Sequence, residues 1–200
     1  MASNELLNNT EVIKWCFGPI TANSLVNTSN PALLKDANIE EKNWARSVIG
    51  GAGNQWSTQL CQDIVRDALI MLGRYNVIAN TSRKSTLRDK KYCPDLECDN
   101  YVYEVKGRSW STPGTAGEKI LGVPLKYGEL PSLYGKPLKI ILVGYQEYEA
   151  RNGFGFGDLL DSSKQTEELR SALEYFRLHG IEYTGFTEIL NELGINETGH

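Results

Sequence analysis

The stretch Leu138-Lys139-Ile140-Ile141-Leu142-Val143-Gly144 constrains the fold more than any other in the chain. Aliphatic side chains fill it, and polar residues do not recur at the two-residue spacing of a strand with one wet face. It predicts a strand buried on both faces of its sheet. Helical patterns stand on either side of it in sequence. Ser57 is placed as the N-cap of a helix running to Gly73, with Leu60, Ile64, Ala68, Met71 and Leu72 as its buried stripe. Pro31 to Val48 reads as an earlier helix with apolar positions Leu33, Leu34, Ile39, Trp44 and Val48. Glu118 to Leu130 has helical character broken by Gly122 and Pro124, and Pro131 to Pro137 reads as a turn. Gln165 to His179 is amphipathic, with Leu169, Ala172, Leu173 and Phe176 inward, and Phe186 to Leu193 is a closing helix ended by Gly194. Residues 1–31 read as a peripheral arm with a short helix at its start and Ile13, Trp15 and Phe17 as apolar anchors. Tyr145 to Asp161 reads as loop-rich, with glycine-heavy 153–157 either a mobile loop closing over a partner or, as favoured, a turn packed by aromatics. Asn76 to Thr81 and Ile181 to Tyr183 are short strands.

Ahead of the buried strand lies Cys93 to Lys106, which carries the chemistry. Asp99-Asn100 suits a two-residue hairpin turn, because both residues tolerate positive φ. In that register Glu97 faces Val102, Leu96 faces Tyr103, and Asp95 faces Glu104. Residues directly opposite share one face of a sheet, with Cβ atoms roughly 5 Å apart. Lys106 lies two positions beyond Glu104 and Arg108 two beyond that, so both fall on the same face. Leu96, Tyr103 and Val105 point the other way, into a core. Like charges directly opposite destabilise a hairpin unless a cation sits between them, and paired hard oxygens suit Mg²⁺ or Mn²⁺. A solvated charge cluster on an exposed hairpin would have the same spacing. Upstream, Arg83 to Lys91 is the most basic run, either a phosphate-binding approach or a solvated loop.

Pro94-Asp95, eight intervening residues and then Glu104-Val105-Lys106 resembles the PD-(D/E)xK signature of the restriction-endonuclease-like nuclease superfamily. The resemblance implies an α/β fold with a central mixed sheet (α+β) flanked by helices, in the core order α-β-β-β-α-β. It implies one nuclease domain over 1–200, comprising an N-terminal arm and helix (1–50), a catalytic core (56–144) and a C-terminal loop and helices (145–200). The activity it implies is Mg²⁺-dependent cleavage of double-stranded DNA at specific sequences by a homodimer, most similar to Type II restriction endonucleases. Asp95, Glu104 and Lys106 would be catalytic, and Asp95, Glu104 and the Val105 carbonyl would hold Mg²⁺, with Mn²⁺ as a substitute. The preceding helix would present Gln62 or Asp63 to the metal. Arg83, Lys84, Arg88, Arg108 and Lys119 would contact DNA, with bases read from loops 108–119 and 145–157. A structure-selective or repair nuclease of the same superfamily, or a catalytically silent nucleic-acid-binding module, would share these residues.

Composition narrows the partners. A net charge of −4 is not that of a general nucleic-acid coat protein, so DNA affinity would reside in local patches. Two histidines, His179 and His200, leave no histidine–metal nuclease signature. Gly114 to Lys119 lacks the Gly-Lys-Ser/Thr ending of a P-loop, so no nucleotide cofactor is expected. Four scattered cysteines fit a reducing cytoplasm, and neither a signal peptide nor a membrane span is expected.

Overall fold

A computed structural model describes residues 5–18, 31–50, 56–108, 117–159 and 165–197. Its helices are α1 (Thr10–Phe17), α2 (Pro31–Ile49), α3 (Trp56–Met71), α4 (Val123–Lys126), α5 (Leu130–Tyr134), α6 (Tyr145–Asn152), α7 (Glu167–Leu178) and α8 (Phe186–Glu192). A 3₁₀ turn spans Gly117–Gly122. The strands are β1 (Ile78–Ala79), β2 (Arg83–Lys84), β3 (Lys91–Tyr92), β4 (Leu96–Glu97), β5 (Val102–Arg108), β6 (Leu138–Gly144) and β7 (Ile181–Gly185). Five of them make one mixed sheet in the order β1-β4-β5-β6-β7, while β2 and β3 pair as a separate ribbon. β1, β4 and β5 are antiparallel neighbours, and β5, β6 and β7 run parallel. The hairpin register is the expected one, with Leu96 opposite Tyr103 and Glu97 opposite Val102.

The strand buried on both faces is β6. Ile141 and Val143 enter a core shared with α1, α3, α8 and the hairpin residues Leu96, Tyr103 and Val105. Leu138, Ile140 and Leu142 enter a second core with Ile120, Val123, Leu130 and Phe156. Each such wholly buried aliphatic side chain contributes about 1.5–3 kcal/mol. Phe156 packs edge-on against Tyr183 at 5.1 Å, so the glycine-rich segment is a turn packed by aromatics, as expected.

Several elements differ from the sequence reading for identifiable reasons. Within the supposed arm, the helix at its start belongs to the core: Asn9 caps α1 by accepting from Glu11 and Val12 N–H at 3.0 and 3.3 Å, and Val12, Ile13, Trp15 and Cys16 are buried, while residues 1–4 and 19–30 lie outside the described residues. Among the described side chains of α2 the buried ones are Ala37, Glu41 and Ala45; Trp44 and Val48 pack partly buried against the core as expected, Leu33 and Ile39 are exposed, and Leu34 lies outside the described side chains. Glu41 is tolerated inside because it accepts the Trp15 indole N–H at 3.0 Å. α3 begins at Trp56 rather than after Ser57, and its N-cap lies outside the described residues. It ends as expected at Gly73, whose φ of +72° closes the helix with Arg74 N–H on the Leu69 carbonyl at 3.0 Å. Met71 is exposed on the outward side of the last turn, whose Ala68 and Leu69 are buried in the core. The stretch 118–130 is a 3₁₀ turn followed by α4, and the turn expected after it contains α5, entered through Pro131. Gly144, at φ +62°, turns the chain straight from β6 into α6, where a loop was expected. α7 offers only Leu169, Leu173 and Phe176 to the core, leaving Ala172 exposed. Among the described residues no helix is long and apolar enough to cross a membrane.

Candidate active site

The period of two along β5 puts Val102, Glu104, Lys106 and Arg108 on one face, with Val102 buried in the core and Arg108 at the strand's end. Pro94-Asp95 enters β4 directly opposite. The Asp95 carboxylate is held at both oxygens: Oδ2 accepts the Val105 main-chain N–H at 2.7 Å, and Oδ1 accepts Gln62 Nε2 at 2.6 Å. The Lys106 ammonium donates to Glu104 Oε1 and lies 3.9 Å from Asp95 Oδ2. Two strands thus deliver a carboxylate, an ammonium and a second carboxylate to one point, and α3 adds an amide. Of the two helix candidates, Gln62 reaches the cluster. Asp63 turns along the helix surface, accepting from Gln59 at 2.9 Å and pairing with Arg66 at 3.1 Å.

Glu104 is only 2 % exposed. Burial pushes its pKa above the ordinary carboxylate value; Asp95 adds to that rise, while Lys106 and the nearby Tyr127 hydroxyl oppose it. Its Oε2 is buried and makes no hydrogen bond of good geometry. A third oxygen points the same way. The Val105 N–H faces Asp95, and in an extended strand the carbonyl of the same residue leaves on the same side. Continuing the register by two places sets Pro94 opposite Val105, and proline has no N–H to offer that carbonyl. Among the described residues no group of three or more His, Cys, Asp and Glu side chains is assembled for a metal. Two carboxylates and one main-chain carbonyl are nonetheless a hard-oxygen set of the kind that binds Mg²⁺ while leaving it several waters. The buried Oε2, with the Tyr127 hydroxyl near its carboxylate but no hydrogen bond of good geometry, is the observation that makes these residues fit such a cation.

Beside the cluster opens a cavity of ≈ 660 Å³, into which Lys106, Arg108, Lys119 and Lys126 project. Arg108 is 11 % exposed, paired with Glu149 at 2.9 Å and lying over the Tyr145 ring at 4.9 Å. Lys119 is exposed on the 3₁₀ turn. The other basic residues named from sequence sit elsewhere, on the β2–β3 ribbon. Arg83 donates to the Leu133 carbonyl at 3.0 Å and covers the Tyr134 ring, Lys84 pairs with Asp89 at 3.4 Å, and Arg88 donates to the Tyr92 hydroxyl at 2.8 Å. Glu129 pins this loop by accepting from Ser85 Oγ at 2.7 Å and Thr86 N–H at 2.8 Å. The ribbon reaches the cluster through Tyr92 and Tyr127, whose rings lie 6.3 Å apart, and Lys106 lies 5.8 Å from the Tyr127 ring. Of the loops expected to read bases, residues 109–116 lie outside the described residues, and 145–152 are helical.

Two site residues were missed from sequence, Tyr127 and Gly107. Nothing local marks Tyr127, which comes near Glu104 through the packing of α4 against the sheet. Gly107 carried a signal, since glycine inside a strand marks close approach of another group. A Cβ there would lie 2.0 Å from Cys61 Sγ, so α3 sits tightly on β5 only because residue 107 is glycine. Comparison with protein-family models, with curated proteins and with solved structures gives no match.

Proposed function

We propose that this chain hydrolyses phosphodiester bonds of double-stranded DNA as a Mg²⁺-dependent, sequence-specific endonuclease with a restriction-endonuclease-like core. The observation that carries the reading is the convergence of Asp95, Glu104 and Lys106 from two adjacent strands. The order α3, then antiparallel β1, β4 and β5, then short helices and parallel β6 supports the same reading, as it is the order the motif requires around itself.

In this reading Asp95, Glu104 and the Val105 carbonyl would hold the divalent ion. Gln62 and the Val105 N–H orient Asp95 with one hydrogen bond to each oxygen, leaving each oxygen a lone pair to offer. The bound ion supplies Lewis acidity, which acidifies water and offsets charge on the phosphoryl oxygens. Lys106, already a donor to a carboxylate, donates to the attacking water and to the scissile phosphate, stabilising the negative charge that develops there. Removing a donor of that kind costs about 10²–10³ in rate. Two copies about a two-fold axis would cut both strands of a palindromic site, because the symmetry of the dimer matches that of the site.

The test is incubation with unmethylated phage-length DNA in Mg²⁺ and in EDTA. Discrete fragments formed only with the metal support the proposal. Cutting confined to junctions or flaps would replace it with a structure-selective nuclease. No cutting with any divalent ion would leave a silent nucleic-acid-binding module.

A further inference from the structure

The cavity beside Lys106 has a lining whose charge is one-sided. In a chain with 21 basic and 25 acidic residues, its walls carry Lys106, Arg108, Lys119 and Lys126, and among the described residues no Asp or Glu lines it. The cations come from three separate pieces of chain: the end of β5, the 3₁₀ turn and α4. Two of them are already neutralised, Lys106 by Glu104 and Asp95, and Arg108 by Glu149. Lys119 and Lys126 make no ion pair among the described residues; Lys126 only rests 4.6 Å from the Tyr127 ring. Ser57 and Thr58, in the first turn of the 16-residue helix α3, form another wall, so the positive end of a helix dipole adds to the same field. Apolar Ile120 and Val123 complete the lining. At ≈ 660 Å³ the space exceeds what one phosphate fills and falls in the range of small-ligand sites.

We infer that this cavity is a nucleotide-phosphate subsite, in which Lys119, Lys126 and the first turn of α3 bind the phosphate next to the scissile one. The sugar and base of the intervening nucleotide lie against the Tyr127 ring and the exposed main chain at Gly122. The inference rests on the nuclease reading for the identity of the strand, and on the cavity alone for its taste for a phosphorylated nucleotide.

Thymidine 3′,5′-bisphosphate tests it, titrated calorimetrically in EDTA into the wild-type chain and into Lys119→Gln/Lys126→Gln, with thymidine and inorganic phosphate as companion probes. The bisphosphate should bind the wild type and bind the variant at least about tenfold more weakly, the loss of one charge-assisted contact, while thymidine should not bind. Both lysines are exposed, so unchanged thermal melting of the variant will show that its fold is intact. Inorganic phosphate binding as tightly as the bisphosphate would overturn the nucleotide assignment in favour of a free-phosphate site. Absence of bisphosphate binding, or equal binding by the variant, overturns the subsite itself. Bisphosphate binding without any DNA cleavage would sink the nuclease reading while leaving the subsite standing. Cleavage with undiminished bisphosphate affinity in the variant would do the reverse.

Discussion

Replacing Gly107 with alanine tests how the strand that carries Lys106 is held. The added Cβ would lie 2.0 Å from Cys61 Sγ, 3.1 Å from Cys61 Cβ and 3.6 Å from Val143 Cβ. Non-bonded carbon contacts are favourable near 3.5–4.0 Å, so the sulfur and the new methyl must part by more than an ångström. Cys61 is 1 % exposed and enclosed by its neighbours, and burial pushes its thiol pKa up, so the sulfur is a neutral, packed group with no solvent to swing into. The strain therefore passes to the contact between α3 and β5. Inserting a methyl into a full core costs about 1–3 kcal/mol. In a chain of 200 residues each kcal/mol lowers Tm by roughly 2–4 °C, which gives a drop of about 2–12 °C. Cleavage should weaken with it, because Lys106 and Arg108 flank the displaced residue. The assay is thermal and urea melting of Gly107→Ala, Cys61→Ala and the pair. If the clash is the cause, removing the sulfur makes room for the methyl, and the double variant should be more stable than the sum of the single effects by 0.5 kcal/mol or more, on the order of contact couplings. Additive losses would refute the steric account.

Lys106→Ala should lower cleavage by about 10²–10³ while leaving DNA affinity in EDTA within a few-fold of wild type, and unchanged turnover would remove Lys106 from the mechanism. Gln62→Ala should weaken Mg²⁺ binding by freeing Asp95 Oδ1, whereas Asp63→Ala should leave it intact; unchanged affinity of Gln62→Ala by isothermal titration would remove Gln62 from the site. Glu97 gives a pH prediction. Burial raises its pKa, but the hydrogen bond from Lys136, the nearby Thr81 hydroxyl and the Lys136 and Arg83 charges outweigh that and hold it below its usual value near 4.5. Its stabilising contribution is therefore complete above the usual value and is lost as pH falls through the lower folded one. Glu97→Gln should flatten the loss of stability in that acid window, measured by urea melts across pH, and parallel profiles would count against it.

The hairpin and its charged face were legible because they depend on local rules. The two-residue connection at Asp99-Asn100 gives the expected register, although neither residue takes the positive φ that the sequence reading invoked, and that register puts Asp95, Glu104 and Lys106 on one side. The buried strand was legible for the same kind of reason, since an aliphatic run rich in β-branched Ile140, Ile141 and Val143 has the length of a strand and is short for a buried helix. Gly73 and Gly194 announced helix ends because positive φ is a demand on one residue. Burial of α1 was not legible: eight residues carry too little pattern to show whether they face solvent or a sheet, and that is settled by Trp15 reaching Glu41 twenty-six positions away. The choice of Gln62 over Asp63 depended on the rotation of α3 about its own axis, which its close contact with Gly107 decides. The basic run gave no hint that Arg83 and Arg88 would be turned toward Tyr134, Tyr92 and Glu129 and away from the cluster. Sequence by itself determined which residues alternate, turn and cap, because those are properties of neighbours along the chain. Which faces meet was decided only in three dimensions, where volume and charge from distant segments must fit the same space.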